Sequence, residues 1–383
     1  MDTQKFSEDS PGEVVPVSTQ LGGDHAFIPA RLPPSWRFPE HLWALLSEAK
    51  LQVGILEGLG RTLPNPSILL RPTADREAIR SSRLEGTYAS PRELLLFELE
   101  PRESKSDRDP INDHREVFNY RRALLHGTKS ELPLSLRLLR ELHEILLTGV
   151  RGKEKSPGQF RRIQVGMGSE GRFIPPPPDA LATCLNDLET YFHEEPFVDG
   201  LVDCFLCHYQ FETIHPFIDG NGRVGRLLLA IMLQQRLGMS KPWLYMSEYF
   251  EKFKDDYVTH LFNVSAKGDW ATWVEYCLRG TLQQAKETIT RCEKLRLLRE
   301  RFMSQVTESR GSVRLNQIVD GIFYYPFIRI AELPNRLEIS YPTAKADIDR
   351  LVDLNILREL PDTYPKTYYA PEVFEISYDE IED

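Results

Sequence analysis

Apolar residues recur at helical spacing along most of this 383-residue chain. The spacing predicts helices from about residue 39 to residue 56, over residues 132–147, where leucines form a stripe, and over residues 179–192, 199–214 and 281–305. These segments are long enough to be helices rather than strands, and polar or proline-containing stretches separate them. The pattern therefore favours a mostly α fold.

Three regions depart from the helical period. Between residues 159 and 174, apolar and polar residues alternate loosely around a turn at residues 168–171, which predicts a small β-hairpin with an edge that could pair with an incoming extended segment. Residues 1–25 are rich in Ser, Gly, Pro and acidic residues, so we expect a mobile tail. Residues 311–383 resemble a winged helix-turn-helix, with Ser340 as the cap of its second helix.

These changes of pattern suggest a division of the chain into five parts. The boundaries follow the points at which the helical period starts, weakens or gives way to alternation. We expect a mobile tail at 1–25, an N-terminal helical region at 26–110, a second helical region at 111–280, which the resemblance described below implies is the catalytic core, a connecting helix at 281–310 and a winged-helix-like domain at 311–383.

Composition and charge narrow the classes of function. The chain has 41% hydrophobic and 27% charged residues, as ordinary globular proteins do. Its formal net charge of −10 argues against nonspecific binding to nucleic acid or to an acidic membrane. No apolar run reaches the roughly 18 residues of a membrane span, and the first residues lack an apolar signal core. We therefore expect a cytoplasmic protein without a membrane segment.

The five cysteines fit a reducing compartment better than a disulfide framework. Cys204, Cys207 and His208 match the Cys-x-x-Cys-His pattern of covalent haem attachment. That chemistry belongs mainly to exported proteins, and the pattern lies within an apolar helical segment. We interpret these cysteines as core residues.

Residues 215–226, His-Pro-Phe-Ile-Asp-Gly-Asn-Gly-Arg-Val-Gly-Arg, combine several chemical groups immediately before an apolar run. Gly220 and Gly222 allow the backbone to approach a ligand closely. The loop leads into a helix at about residue 223, and the free N–H groups of a helix start bind anions. Arg223 and Arg226 share a face of that first turn and could hold phosphate oxygens. The sequence therefore predicts a polyphosphate site.

Two further side chains suggest a reaction at this site. Asp219 could hold Mg²⁺, which usually takes one or two carboxylates together with substrate oxygens. His215 has an ordinary pKa near ~6.5 and suits a general base at neutral pH. A plain polar turn between helices is the alternative, but such a turn requires neither two arginines nor a carboxylate. The set indicates transfer from a nucleotide to a hydroxyl.

The same twelve residues resemble the motif of the Fic family, His-Pro-Phe-x-Asp/Glu-Gly-Asn-Gly-Arg-x-x-Arg, at every defined position. The resemblance implies a Fic-type helical core. It also implies that His215 deprotonates a hydroxyl of a target protein, which attacks the α-phosphate of ATP, so that AMP is transferred and pyrophosphate leaves. Mg²⁺ is implied at Asp219. The implied nucleotide-binding residues of the motif are Gly220, Asn221, Gly222, Arg223, Val224, Gly225 and Arg226.

Ser81 and Glu85 lie four residues apart, on one face of a predicted helix that Gly86 ends. Taken alone, this pattern is typical of a solvated helix turn. Together with the motif it resembles the inhibitory sequence Ser/Thr-x-x-x-Glu-Gly/Asn of one class of Fic proteins. The resemblance implies that Glu85 pairs with Arg226 and blocks the γ-phosphate of ATP, since a carboxylate and a phosphate compete for the same guanidinium donors.

The resemblance also assigns roles to the hairpin and to one later helix. The hairpin is expected to be a flap that aligns the side chain of the target protein. Many relatives carry two adjacent tyrosines near residue 257 that help hold the nucleotide. The resemblance implies this role for Tyr257 and Val258, although valine replaces the second tyrosine here. The flap residues expected to contact nucleotide and target are Val165, Gly166, Met167 and Gly168.

Two classes of function remain open at this point. The first is an autoinhibited protein adenylyltransferase, with self-modification, AMP removal or transfer of another phosphate-containing group as variants; family resemblance suggests a homodimer. The second is a nucleotide-sensing transcriptional regulator whose C-terminal module binds DNA. Residues 311–383 hold seven Lys or Arg and fourteen Asp or Glu, a net charge of −7. We therefore favour a protein-contact module over a DNA binder.

Overall fold

The computed structural model describes residues 1–18, 24–63, 65–106, 108–150, 155–168, 173–309, 312–379 and 381. Helices dominate these residues, which confirms the predicted mostly α fold. The helices are α1 (Leu42–Thr62), α2 (Ser67–Leu84), α3 (Pro91–Leu99), α4 (Ile111–Lys129), α5 (Leu136–Leu146), α6 (Pro178–Tyr191), α7 (Gly200–Ile214), α8 (Asn221–Arg236), α9 (Ser247–Lys252), α10 (Lys254–Lys267), α11 (Trp270–Glu308), α12 (Val313–Tyr324), α13 (Leu333–Leu337), α14 (Tyr341–Asp353) and α15 (Pro371–Tyr378). The strands are β1 (Gly12–Pro16), β2 (His25–Pro29), β3 (Phe327–Arg329), β4 (Arg358–Glu359) and β5 (Thr367–Tyr369).

Helices α7 and α8 form the centre of the fold. Every residue of α7 from Leu201 to Ile214 is buried, which explains why its sequence is apolar on all sides rather than along one stripe. The side chain of Asp199 caps its start by accepting a hydrogen bond from the N–H of Leu201. Helix α8 packs against α7, with α4 and α5 beside it. The motif loop connects these two buried helices, so the surrounding core determines its position.

The N-terminal strands correct one expectation. β1 pairs with β2 in antiparallel register, with Gly12 opposite Pro29. The ring of Phe6 lies 5.4 Å from that of Phe27, and the N–H of Ser7 donates to the carbonyl of Ala266. The prediction of a mobile tail is therefore wrong for the β1 segment. Packing against distant residues orders this stretch, and such contacts leave no periodic signal in the sequence.

The predicted hairpin is smaller than its sequence pattern suggested. Met167 and Phe173 form a single antiparallel bridge. Of the turn predicted at residues 168–171, residues 169–171 lie outside the described residues. The earlier part of the predicted strand is irregular because its backbone binds the motif loop instead. The N–H of Arg161 donates to the carbonyl of Pro216 at 2.9 Å, and its guanidinium Nε donates to the carbonyl of His215 at 2.8 Å.

Helix α11 runs unbroken for 39 residues, so the expected boundary at residue 281 falls within a helix. Its first half packs along α1. Its second half carries Leu295, Leu298 and Phe302, which belong to the core of the C-terminal region. A separate connecting helix is therefore not present, because one continuous helix serves both cores.

The C-terminal region combines α12, α13, α14 and α15 with an antiparallel sheet in the order β3-β5-β4. Ser340 caps α14 through its hydroxyl, as the sequence indicated. The winged-helix assignment stays an interpretation. Helix α15 then returns to pack against α2 of the N-terminal region and against α11. Among the described residues, none of the helices combines the length and the apolar character that crossing a membrane requires.

Candidate active site

His215 ends α7 in a left-handed conformation, with φ of 50°. Its Nδ1 lies 3.3 Å from the carbonyl oxygen of Glu212, and since a carbonyl can only accept, Nδ1 carries the proton. The lone pair is therefore on Nε2. Burial lowers the pKa of His215 to about 4, although the charge of Glu85 opposes this effect. The imidazole is neutral at neutral pH and can accept a proton at Nε2.

The side chains of the motif loop fix its conformation. Asn221 accepts from the N–H of Phe217 at 2.7 Å and donates to the same residue's carbonyl at 2.9 Å. Gly220 has a φ of 77°, which L side chains rarely adopt, and its N–H donates to Asp219 Oδ1. Helix α8 starts immediately afterwards. The first turn of α8 therefore leaves its backbone N–H groups at the end of a braced loop.

Arg226 binds both residues of the predicted inhibitory pair. Its Nε donates to the hydroxyl of Ser81 at 2.7 Å, and its Nη2 donates to the Ser81 carbonyl at 2.9 Å and to Glu85 Oε1 at 2.7 Å. Burial raises the pKa of Glu85, but the adjacent charge of Arg226 outweighs burial and holds that pKa below its usual value. Glu85 caps α2, and Gly86 follows with φ of 84°. The structure thus brings Ser81, Glu85 and Arg226 together.

Arg223 has a carboxylate partner that the sequence did not reveal. Its Nη1 lies 3.2 Å from Glu116 Oε2, and both side chains are buried. The hydroxyl of Thr87 donates to the same oxygen at 2.9 Å. Glu116 lies on α4, far from the motif in sequence, so no local pattern could have indicated the contact. Each motif arginine is therefore paired with an acid that precedes the motif by about 100 residues or more.

His143, on α5, is a second histidine that supports the loop. Its Nδ1 accepts from the N–H of Gly158 at 2.9 Å, and its Nε2 donates to the carbonyl of Asp219 at 3.0 Å. The ring stacks on Phe217 with centroids 3.8 Å apart. Burial lowers the pKa of His143 to about 4, so it stays neutral and keeps both bonds. The sequence did not predict this role, because His143 lies in a leucine-rich helix where it reads as an ordinary core residue.

Asp219 has one carboxylate oxygen available for a cation. Oδ1 accepts from the N–H of Gly220, and Oδ2 lies 2.5 Å from the ammonium of Lys155. Burial raises the pKa of Asp219, but the bond from Lys155 and the charge of Arg223 hold it below its usual value. Among the described residues, no three acidic, histidine or cysteine side chains cluster as a metal site. A lone carboxylate fits Mg²⁺ that arrives with phosphate oxygens.

A cavity of about 310 Å³ opens beside His215 and Arg226. Tyr257 lines it with its hydroxyl bound to His208 Nε2 at 2.8 Å, and Val258 lines it while 49% exposed. Of the predicted flap residues, Met167 and Gly168 reach the cavity. Val165, Gly166, Val224 and Gly225 are not among the described residues that line it.

Glu212 is an unpredicted acid in the wall of this cavity. It is 6% exposed, and its Oε1 has no hydrogen-bond partner. The same oxygen lies 2.1 Å from where a Cβ would stand on Gly225, so α7 and α8 touch here without space for a side chain. Burial raises the pKa of Glu212 to about 7, against the attraction of Arg226. Near neutral pH the protonated and charged forms of this carboxyl are therefore both populated.

Two family models match this region. The Fic/DOC family N-terminal model covers residues 43–129, and the Fic/DOC family model covers residues 133–233. The chain carries a Fic domain. The match includes α1 to α4, the helices α5 to α7 and most of α8, and therefore both the predicted inhibitory pair and the motif loop.

Curated relatives of the Fic domain are named protein adenylyltransferase Fic. The protein of Drosophila grimshawi is 30% identical over 187 residues, which cover 46% of this chain and 36% of the relative. The protein of Drosophila melanogaster is 29% identical over 187 residues, which cover 46% of this chain and 35% of the relative. The match thus spans about a third of the length of these curated relatives.

Solved structures share the fold. A Fic family protein from Desulfovibrio desulfuricans G20 aligns with a TM-score of 0.58 and 19% identity, covering 88% of this chain and 98% of that one. Fic-1 from C. elegans, residues 134–508, aligns with a TM-score of 0.53 and 21% identity, covering 65% and 73%. At these identities the likeness concerns the fold alone. The Fic domain of this chain therefore has the helical architecture of its family.

Proposed function

We propose that this chain is an autoinhibited protein adenylyltransferase that transfers AMP from Mg-ATP to a Ser, Thr or Tyr hydroxyl of a target protein. The observation that carries this proposal is the position of His215. Its protonated Nδ1 is held by a carbonyl, and it lines the same cavity as Gly222 and Arg226 of the anion-binding loop. A neutral base next to a phosphate site suits the activation of a hydroxyl for attack at phosphorus.

The proposed reaction balances with groups that the chain supplies. The target's hydroxyl oxygen forms a bond to the α-phosphorus of ATP while its proton passes to His215 Nε2. The bond between the α-phosphorus and the oxygen that bridges to the β-phosphate breaks, and pyrophosphate leaves with that electron pair. Arg223, Arg226 and the N–H groups at the start of α8 stabilise the departing charge.

Asp219 is the residue that would hold Mg²⁺. Its Oδ1 accepts from the N–H of Gly220 and its Oδ2 accepts from the ammonium of Lys155, so Oδ2 is the oxygen that already faces a positive charge. When bound, Mg²⁺ would neutralise phosphate charge and orient the triphosphate. His143 holds the carbonyl of Asp219 in place, which keeps the carboxylate at the lip of the loop.

Autoinhibition is the second part of the proposal. Glu85 occupies a guanidinium donor of Arg226 that the distal phosphate of ATP would use. The ion pair persists at neutral pH, because the pKa of Glu85 is below its usual value. ATP can still enter the cavity, but its terminal phosphate meets a carboxylate rather than a free arginine. Transfer therefore requires Glu85 to move away.

The target protein is expected to dock next to the cavity, along the flap. Ile163, just before the flap bridge, is 57% exposed, and Val258 at the cavity wall is 49% exposed. Exposed apolar side chains on the flap segment and at the cavity wall are suited to contact an extended segment of another protein. This placement would present a hydroxyl to His215.

The test uses ATP labelled at either the α- or the γ-phosphate. In Glu85→Gly protein, the α-label should appear on protein acceptors and the γ-label should not. Adding His215→Ala should abolish the α-label, because no base remains, while the fold is checked by circular dichroism. Transfer of the γ-label would indicate phosphate transfer instead. Labelling that survives His215→Ala would refute the assigned base.

DNA binding is not favoured by the C-terminal region. The exposed face of α14 offers Lys345 next to Asp349, so it has little net positive charge. Arg350 donates to the carbonyl of Ser309, and Arg314 is paired with Asp347. Phosphate binding needs basic side chains free to reach the backbone of DNA. We therefore propose protein contact as the role of this region.

A further inference from the structure

Lys155 contacts the motif from a segment for which no sequence pattern predicts a role. Its ammonium donates to Asp219 Oδ2 at 2.5 Å, whereas Oδ1 of the same carboxylate is bound to the N–H of Gly220. The Lys155 side chain is 40% exposed and that of Asp219 is 36% exposed. The ammonium therefore lies on the one carboxylate oxygen that a metal ion would use, where solvent ions can reach it.

The segment that carries Lys155 is held firmly against the motif loop. His143 joins the N–H of Gly158 to the carbonyl of Asp219, as described above. Arg140 Nε donates to the carbonyl of Gly158 at 2.7 Å. Arg161 binds the carbonyls of His215 and Pro216 through its side chain and its backbone. The contact of Lys155 with Asp219 is thus built into the loop, unlike a chance pair of surface charges.

The pairing also completes a pattern of charges. Among the described residues, Arg226 is paired with Glu85, Arg223 with Glu116, and Asp219 with Lys155. Each of these three charged side chains, which are expected to bind Mg-ATP, thus has a partner of opposite charge within the protein. The partner of an arginine is a carboxylate, where phosphate would bind. The partner of Asp219 is an ammonium, where a divalent cation would bind.

We propose that Lys155 is a positioning residue of the nucleotide site, whose ammonium occupies the cation position at Asp219 and is displaced by the divalent metal that accompanies ATP. This inference rests on the proposed function, since it takes Asp219 as the metal ligand. Two positive charges at one carboxylate oxygen repel each other, so Lys155 and the metal compete for it. After exchange, the ammonium lies beside the incoming phosphates and can contact them.

The competition predicts tighter metal binding when the ammonium is removed. The test is a Mn²⁺ titration of nucleotide-free protein, followed by the electron paramagnetic resonance signal of free Mn²⁺. Lys155→Ala should lower the dissociation constant of the Asp219-dependent site by about three- to fivefold, the range set by a partly exposed ion pair. Lys155→Arg should keep the wild-type value, because it retains the charge. Asp219→Asn should remove the site in every background.

Lys241→Ala is the matched control, because it removes one positive charge at an exposed position that is not part of the site. A shift in this control as large as in Lys155→Ala would overturn the inference, since net charge alone would explain it. Unchanged or weaker Mn²⁺ binding in Lys155→Ala, or no Asp219-dependent binding in that variant, would also overturn it. AMP transfer by Glu85→Gly is measured separately, so failure of the titration and failure of the proposed activity are distinguishable.

Discussion

At the scale of single residues, the buried carboxyl of Glu212 lies in surroundings that disfavour its negative charge. Burial raises the pKa of Glu212 from 4.5 to about 7. Between pH 4.5 and pH 7 the folded protein therefore holds a proton on this carboxyl, whereas the unfolded chain has released it. The protein's stability should therefore fall as pH rises from about 4.5 to about 7. Glu212→Gln mimics the protonated form and should raise the melting temperature by a few degrees at pH 8, with little effect near pH 5. Equal shifts at both pH values would contradict this assignment.

The pKa of His215 should determine the pH below which AMP transfer declines. It must be neutral to act as a base, and burial lowers its pKa to about 4. The Glu85 charge raises that pKa, so the Glu85→Gly variant should have an even lower one. Its kcat/KM for AMP transfer should decline only near pH 4, and not near the ordinary histidine value of 6.5. A decline near 6.5 that persists after Glu212→Gln would contradict the prediction.

At the scale of secondary-structure elements, two glycines of α1 offer a matched pair of tests. A Cβ on Gly60 would lie 2.5 Å from the ring of Trp243, whereas a Cβ on Gly58 meets nothing within 4 Å. Gly58→Ala should stabilise the protein by about 0.5–1 kcal/mol, because alanine favours helix. Gly60→Ala should destabilise it by about 1–3 kcal/mol through overpacking. Chemical denaturation measures both, and equal effects would show that α1 does not pack on Trp243 as described.

The elements also show what the sequence could and could not predict. The helix predicted at residues 179–192 is Pro178–Tyr191, because its apolar stripe and its bounding prolines are local signals. The motif loop was likewise identified from adjacent residues. Glu116, His143 and Lys155 were missed, because each reaches the loop from a distant part of the chain. Pairing across such distances depends on packing, which no local pattern records.

At the scale of the whole molecule, the C-terminal region holds the helix that carries the inhibitory pair. On α2, Arg76 donates to the carbonyls of Ser377 and Asp379, and Asp75 Oδ2 accepts from the hydroxyl of Tyr378 at 2.8 Å. Arg83 of the same helix precedes Glu85 by two residues, and its guanidinium donates to the carbonyl of Ile381. Removing residues 377–383 should therefore loosen the end of α2 and raise the rate of AMP transfer.

Two comparisons make this prediction specific. Removing only residues 382 and 383 is the matched control and should leave the rate near that of the intact chain. The longer truncation should add nothing in Glu85→Gly protein, because the contact it loosens is already absent. An increase that also appears in the Glu85→Gly background would show that the C-terminal segment acts on another part of the enzyme. Thermal unfolding of each variant checks that the fold persists.

Glu85 accepts a hydrogen bond from the guanidinium of Arg226 in this structure, and we propose that this contact must break before AMP can be transferred. The direct measurement compares initial rates of AMP incorporation by wild-type and Glu85→Gly protein at saturating Mg-ATP. Loss of a charge-assisted hydrogen bond of about 1.5–3 kcal/mol predicts a rate increase of roughly ten- to hundredfold. Equal rates in the two proteins, with transfer still dependent on His215, would contradict the claim.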